Sequence, residues 1–163
     1  ARYIFLLILA LNLSFIYKIF TFLAIYPIFY LLFAFDNSTS LIGNIISYKG
    51  ISAAIIPACV AGAAYLLLLI LNFTTPMPKK TRAKSLAFLL ITFLILNIAR
   101  IIFFINLALF NTTYFDAAHL FFWYAGSTIL IVILWFTNVY LFKINFIPFF
   151  TDVKNIFKDV GHG

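Results

Sequence analysis

Glutamate is absent from this sequence, and only four aspartates stand against eleven lysines and arginines, which leaves a net charge of +7. Charged residues make up 9% of the 163 residues and hydrophobic residues 66%, whereas soluble domains average about 25% charged and about 45–50% apolar. This composition excludes a water-soluble globular domain. The cations are clustered between apolar segments rather than spread along one face, a pattern that orients membrane proteins and gives no reason to expect nucleic-acid binding.

The sequence is equally poor in the side chains that form disulfides and metal sites. Cys59 is its single cysteine, so no internal disulfide can form, and His119 and His162 are its two histidines, too few for a zinc site. A Gly-x-Ser-x-Gly elbow, a His-Glu-x-x-His motif, a glycine-rich phosphate loop and a pair of aspartates within the apolar runs are also lacking. We therefore expect no metal and no cofactor, and Cys59 is either a packed small residue or a reactive thiol.

Long apolar runs dominate what the sequence does contain. They are too long for the core helices of a soluble domain and too continuous for the alternating strands of a membrane barrel. We predict an all-α polytopic membrane protein with four to five transmembrane helices and an interfacial or re-entrant segment. Residues 1–142 form one integral-membrane domain in this interpretation, and residues 143–163 form a basic cytoplasmic tail.

Residues 3–35 are too long for one span and short for two, and both arrangements stay open. We favour one span over Tyr3–Tyr17 followed by an interfacial piece through Phe35. Four cations between Lys79 and Lys84 make that loop cytoplasmic by the positive-inside rule. Residues 36–56 and 111–116 then form loops outside the cytoplasmic membrane, joined by spans at about 57–73, 85–104 and 117–141.

Cys59, Arg100 and His119 stand out as reactive or charged side chains in or beside the apolar runs. Counted at about 1.5 Å per residue from the inner cations, all three lie near the outer ends of three different spans. Asn97 lies one helical turn before Arg100 on the same face, and Asp116 is a candidate N-cap for the last span. Each residue alone also has a structural interpretation, as a packed cysteine, a snorkelling arginine and an interfacial histidine. Together they supply a nucleophile, a base and an oxyanion donor.

Three motifs carry a resemblance to a known family. Pro57-Ala58-Cys59-Val60-Ala61-Gly62 opens one span, Asn97-Ile98-Ala99-Arg100-Ile101 closes the next, and His119 opens the last. In this order and placement the chain resembles the archaeosortase and exosortase family of membrane cysteine transpeptidases, over roughly residues 18 to 142 and most closely in its short archaeal forms. The resemblance implies an enzyme that cleaves the C-terminal sorting tail of exported proteins and passes the new C-terminus to an acceptor, in the archaeal case a lipid amine.

The same resemblance implies roles for the three residues, with Cys59 as the nucleophile, His119 as the base and Arg100 as the oxyanion or substrate-positioning group. Cys59-Val60-Ala61 stands where bacterial members have Cys-Ser-Gly, and some archaeal members have an arginine where this chain has His119. His119 is therefore either a general base or an electrostatic group. The competing hypothesis is a non-enzymatic membrane scaffold, or a protein that binds lipid headgroups through Arg100. A catalytic Cys59 should react with a polar thiol reagent, and a packed one should not.

Overall fold

The computed structural model describes residues 12–110 and 112–144. A long helix comes first, followed by a small antiparallel sheet and then by a series of helices. The elements are α1 (Leu13–Phe35), β1 (Ser40–Ile42), β2 (Ile45–Tyr48), β3 (Ile51–Ala54), α2 (Pro57–Val60), α3 (Gly62–Thr74), α4 (Lys79–Phe110), α5 (Thr112–Phe121), a π-helical turn (Phe122–Gly126) and α6 (Ser127–Leu141).

α1 is one continuous helix of 23 residues with Pro27 inside it. The predicted division into a span ending at Tyr17 and an interfacial piece is therefore wrong over residues 13–35, and residues 3–11 lie outside the described residues. α1 ends at Phe35, and the side chain of Asp36 then stabilises a turn by accepting hydrogen bonds from Ser38. The backbone N–H and the hydroxyl of Ser38 donate to Asp36 Oδ1 at 3.0 and 2.8 Å. These bonds stabilise the carboxylate and lower the pKa of Asp36 below its ordinary value of 3.8.

The predicted loop at 36–56 is instead a three-stranded antiparallel sheet in the order β1-β2-β3, so the all-α prediction is wrong. Two-residue turns join the strands, because Ile42 pairs with Ile45 and Tyr48 pairs with Ile51. Gly43 has φ +62° in the first turn, and Lys49 and Gly50 have φ +48° and +84° in the second. Positive φ at these positions is what tight hairpin turns require.

Two clusters of buried apolar side chains form the core. One joins the sheet to α1 and α4, and the other joins α1, α3, α4 and α6. The first includes Ile28, Leu32, Ile46, Tyr48, Ile101 and Ile105, and the second includes Ile16, Tyr65, Leu68, Leu89, Phe93, Leu134 and Trp135. In the second, the Tyr65 ring stacks on Phe20 with centroids 3.5 Å apart and meets Phe93 edge-on at 4.7 Å. The sheet is thus fixed to one end of the helices.

Two helices in the described residues, Ser14–Phe35 and Lys79–Phe110, are long and apolar enough to cross a membrane. The prediction of four to five spans is wrong, since the runs at 57–73 and 117–141 are interrupted. Ala61 separates α2 from α3, and a π-helical turn precedes α6. The remaining apolar helices, Gly62–Thr74 and Ser127–Leu141, are about 20 and 23 Å long at about 1.5 Å per residue, short of the roughly 30 Å hydrocarbon core. Two apolar helices of spanning length are consistent with membrane association.

A buried polar network joins α3, α4 and α6 at the end remote from the sheet. Asn72 Nδ2 donates to Ser85 Oγ at 2.7 Å, and Ser85 Oγ donates to Asn138 Oδ1 at 2.8 Å. Beside it, Arg82 donates to the backbone carbonyls of Asn72 and Phe73 at 2.8 and 3.0 Å. These bonds satisfy carbonyls at the end of α3, where the helix can no longer use them.

Candidate active site

A local break in the helix presents Cys59. Pro57 begins the short helix α2, where its missing N–H costs nothing, and the Cys59 N–H donates to the Ile56 carbonyl at 2.9 Å. Ala61 then takes the left-handed conformation, φ 55° and ψ 45°, which ends α2 and costs about 1–2 kcal/mol for a residue with a Cβ. Gly62 follows directly against the Tyr17 ring, and a Cβ there would lie 2.5 Å from ring carbons. Only glycine fits this close approach without displacing the ring.

The break leaves two backbone carbonyls of α2 without helical partners, and side chains of α4 satisfy them. Arg100 Nη2 donates to the Cys59 carbonyl at 2.7 Å, and Asn97 Nδ2 donates to the Val60 carbonyl at 3.3 Å. Asn97 is 3% exposed, and its Oδ1 accepts a second bond from Arg100 Nη2 at 2.8 Å. Asn97 and Arg100 therefore hold the backbone that carries the thiol.

Ser127, which the sequence interpretation did not single out, completes the contacts of Arg100. Arg100 Nη1 donates to Ser127 Oγ at 2.6 Å, and Ser127 Oγ donates to the carbonyl of Phe122 at 3.0 Å. That carbonyl begins the π-helical turn, and such turns occur often at functional sites. The one signal available in the sequence was the small pair Gly126-Ser127 within an otherwise apolar run.

Cys59, Arg100 and His119 all line one cavity of about 700 Å³, which lies between β3 and the helices α3, α4, α5 and α6. Most of the other lining side chains are apolar, and the described residues contribute no aspartate or glutamate to the lining. The His119 ring stacks on Phe115 with centroids 5.6 Å apart and meets Phe104 edge-on at 5.5 Å. The cavity therefore carries a thiol, an imidazole and a guanidinium in an apolar setting that suits an electron-rich ligand.

Arg100 keeps hydrogen-bonding capacity beyond its role in the fold. A guanidinium has five N–H groups, and three of them are used within the described residues. No acceptor among the described residues takes the other two, and Arg100 lines the cavity, so they are available to an oxygen of a molecule bound there. Cys59 is half-buried: it lines the cavity and also packs against the buried cluster that joins the sheet to α1 and α4.

Asp116 is not among the described residues that line the cavity. The predicted outer loop at 111–116 is helical from Thr112, with residue 111 outside the described residues, so Asp116 is inside α5 and is not the N-cap of a helix. Its side chain is exposed, and the described lining of the cavity does not include it. The prediction of a capping role is wrong because the helix begins four residues earlier.

The chain matches no protein-family model, no curated protein and no solved structure. Within residues 12–110 and 112–144, no group of three or more His, Cys or Asp side chains is placed to hold a metal ion.

Proposed function

We propose that this protein is a membrane cysteine transpeptidase of the archaeosortase type. It cleaves the C-terminal sorting tail of an exported protein and transfers the new C-terminus to an acceptor, a lipid amine or, failing that, water. The observation that carries this proposal is that Cys59, Arg100 and His119, spread over 60 residues of sequence, line one cavity. A thiol, a base and a fixed cation are the groups that acyl transfer through a thioester requires.

The proposed reaction has two stages. In the first, the Cys59 sulfur attacks the carbonyl carbon of the scissile peptide bond and its proton passes to His119, while the unused N–H groups of Arg100 donate to the oxyanion. The carbon–nitrogen bond then breaks, the leaving amine takes the proton from His119, and a thioester remains on Cys59. In the second stage the acceptor amine attacks the thioester carbonyl and gives a proton to His119, the carbon–sulfur bond breaks, and the expelled Cys59 thiolate takes that proton back from His119.

The proposed orientation follows from α4, which carries both Arg82 and Arg100. Arg82 and Arg100 are 18 residues apart, about 27 Å along a helix at about 1.5 Å per residue, which is close to the thickness of the hydrocarbon core. The cations from Lys79 to Lys84 favour the cytoplasmic side for the beginning of α4. The cavity then faces the outside of the cytoplasmic membrane, where an exported tail would present its motif.

The contacts of Arg100 favour an enzyme over a scaffold or lipid-headgroup-binding protein. An arginine that anchors the protein to headgroups extends towards the membrane surface. The Arg100 guanidinium instead donates to the Cys59 carbonyl, Asn97 and Ser127 within the protein. That arrangement supports a site built around the cysteine.

The test compares surface-protein C-termini by mass spectrometry in cells that carry wild type, Cys59→Ser or Thr137→Ser. Thr137 is exposed and does not line the cavity, so its variant is a matched control for membrane insertion and expression. A serine hydroxyl has a far higher pKa than a thiol, so we expect Cys59→Ser to leave the sorting tails uncleaved and Thr137→Ser to process them normally. Near-normal processing by Cys59→Ser, at equal protein level, would remove the nucleophile from the proposal.

A further inference from the structure

β3 is an edge strand, at the end of the order β1-β2-β3. Among the described residues, β3 pairs with β2 on one side only. The Ile55 N–H donates to the Asn44 carbonyl at 2.8 Å, which makes residues 44 and 55 a hydrogen-bonded pair. Because such pairs alternate along an antiparallel ladder, Ala53 and Ile51 also direct their backbone groups to β2. Ser52 and Ala54 therefore direct their N–H and C=O groups to the unpaired edge.

The cavity runs along this edge. All six consecutive residues from Ile51 to Ile56 line it, and no residue of β1 or β2 is among the described lining. Successive side chains of a strand point to opposite faces of a sheet, so a cavity on one face would touch only alternate residues. A cavity that touches every residue must lie beside the strand, where its backbone groups are available.

The edge also leads directly to the thiol. Three residue steps separate Ala54 from Pro57, about 10 Å at about 3.3 Å per residue, and Cys59 follows in the first turn of α2. Ser52 and Ala54 have small, exposed side chains, and β3 carries no charged residue or proline. Proteins usually protect an edge strand with charged residues or proline, because an unprotected edge pairs with other strands. This edge is open to a strand from another molecule.

We propose that β3 binds the substrate by strand addition: an extended peptide segment of the substrate pairs with Ser52 and Ala54 and presents its scissile bond to Cys59. The proposal rests on the proposed function and names how that site holds its substrate. A peptide backbone has the repeating donors and acceptors that match a strand edge, a match that a lipid chain does not offer. Arg100 is a cation in a cavity whose described lining has no acidic group, so the segment is apolar or acidic rather than basic.

The experiment uses the single cysteine as the reporter. Random tetrapeptides built from Ala, Val, Thr and Glu carry one iodoacetyl group, either on the N-terminal amine of a peptide with an amidated C-terminus or on a C-terminal aminoethylamide of a peptide with an acetylated N-terminus. Intact-protein mass spectrometry measures the rate at which each pool alkylates Cys59. The comparison reagents are iodoacetamide and the same pools with every backbone amide N-methylated. We expect at least one unmodified pool to alkylate Cys59 at least tenfold faster than iodoacetamide, and N-methylation to abolish that advantage.

Two variants test the strand from the protein side. Ala54→Pro removes the N–H that faces the open edge and leaves the ladder to β2 intact, whereas Ala54→Val keeps that N–H. We expect Ala54→Pro to lose the peptide advantage with an unchanged iodoacetamide rate, and Ala54→Val to keep it. N-methylated pools that react with wild type as fast as the unmodified ones would overturn strand addition, whether or not Ala54→Pro folds.

The results that would contradict the proposed function differ from those that would contradict strand addition alone. If iodoacetamide alkylates Cys59 and no peptide pool reacts faster, strand addition is wrong and the thiol remains a candidate nucleophile. If Cys59 reacts with neither iodoacetamide nor peptides, the thiol is inaccessible. That result contradicts the proposed function and strand addition together.

Discussion

Replacing Arg100 with lysine should separate a positioning arginine from a simple membrane anchor. The guanidinium reaches three oxygens, Ser127 Oγ at 2.6 Å from Nη1 and the Cys59 carbonyl and Asn97 Oδ1 at 2.7 and 2.8 Å from Nη2. A lysine keeps the charge but has one nitrogen, which cannot occupy both positions. The planar fork that would donate to the oxyanion is lost with the guanidinium, and losing one oxyanion donor costs about 3 kcal/mol in the transition state. Since about 1.36 kcal/mol is tenfold in rate, we expect turnover to fall about a hundredfold.

The assay is single-turnover cleavage of a sorting-tail substrate by reconstituted enzyme, normalised to folded protein. Arg82→Lys is the matched control, because Arg82 lies on the same helix and also donates to backbone carbonyls, at the end remote from the cavity. We expect Arg82→Lys to lower the melting temperature without changing the rate per folded enzyme. Asn97→Ala should lower the rate less than Arg100→Lys does, because it misplaces the guanidinium without removing it.

Equal rates for wild type and Arg100→Lys would refute this reasoning. An anchoring role predicts that result, because both side chains have long stems that reach the membrane surface. A rate loss of the same size in Arg82→Lys would also refute it, since the effect would then belong to the helix and not to the cavity.

Three other substitutions test the fold around the site by thermal unfolding. Ser85→Ala leaves two asparagine amides buried without their shared partner and should cost about 1–3 kcal/mol; an unchanged melting temperature would show that the network contributes nothing. Asp36→Ala should destabilise at pH 7, and this loss should shrink steadily as the pH is lowered below 3.8, because the lowered pKa of Asp36 means that its stabilisation is present above pH 3.8 and is lost as the carboxylate is protonated; a loss that does not shrink with falling pH would contradict this. Gly62→Ala should cost about 1–3 kcal/mol because its Cβ would meet the Tyr17 ring, and the double variant with Tyr17→Ala should recover part of that loss; no recovery would contradict the clash.

The residues of the candidate site were more accessible from the sequence than the fold was. An arginine and a histidine are costly to bury in apolar runs, and Cys59 is the single thiol of the sequence, so these three residues stood out. All three line one cavity, while the roles predicted for them stay predictions. Ser127 was not predicted as a site residue, because a serine hydroxyl in an apolar helix commonly donates to a backbone carbonyl of the same helix. Its contact with Arg100 depends on the π-helical turn before it, which no composition signal marks.

The number of spans and the sheet could not be read from hydropathy. A count of apolar residues predicts one helix over 57–73. The left-handed conformation of Ala61 divides this run into two helices, and alanine is not a residue type that predicts that conformation. Residues 40–54 are only moderately apolar and rich in glycine and serine, so they were interpreted as a loop. Strands of three or four residues give too short an alternation to detect, although Gly43-Asn44 and Lys49-Gly50 are two-residue turn sequences.

The central claim is that the reaction passes through a thioester on Cys59, and interception by hydroxylamine tests it most directly. Hydroxylamine attacks a thioester carbonyl, breaks the carbon–sulfur bond and returns the free thiolate, leaving a hydroxamate on the released C-terminus. We predict that hydroxylamine converts the processed C-termini to hydroxamates, seen by mass spectrometry, with wild type and not with Cys59→Ser. Unaltered C-termini during continued wild-type processing, or hydroxamates formed equally by Cys59→Ser, would contradict the claim.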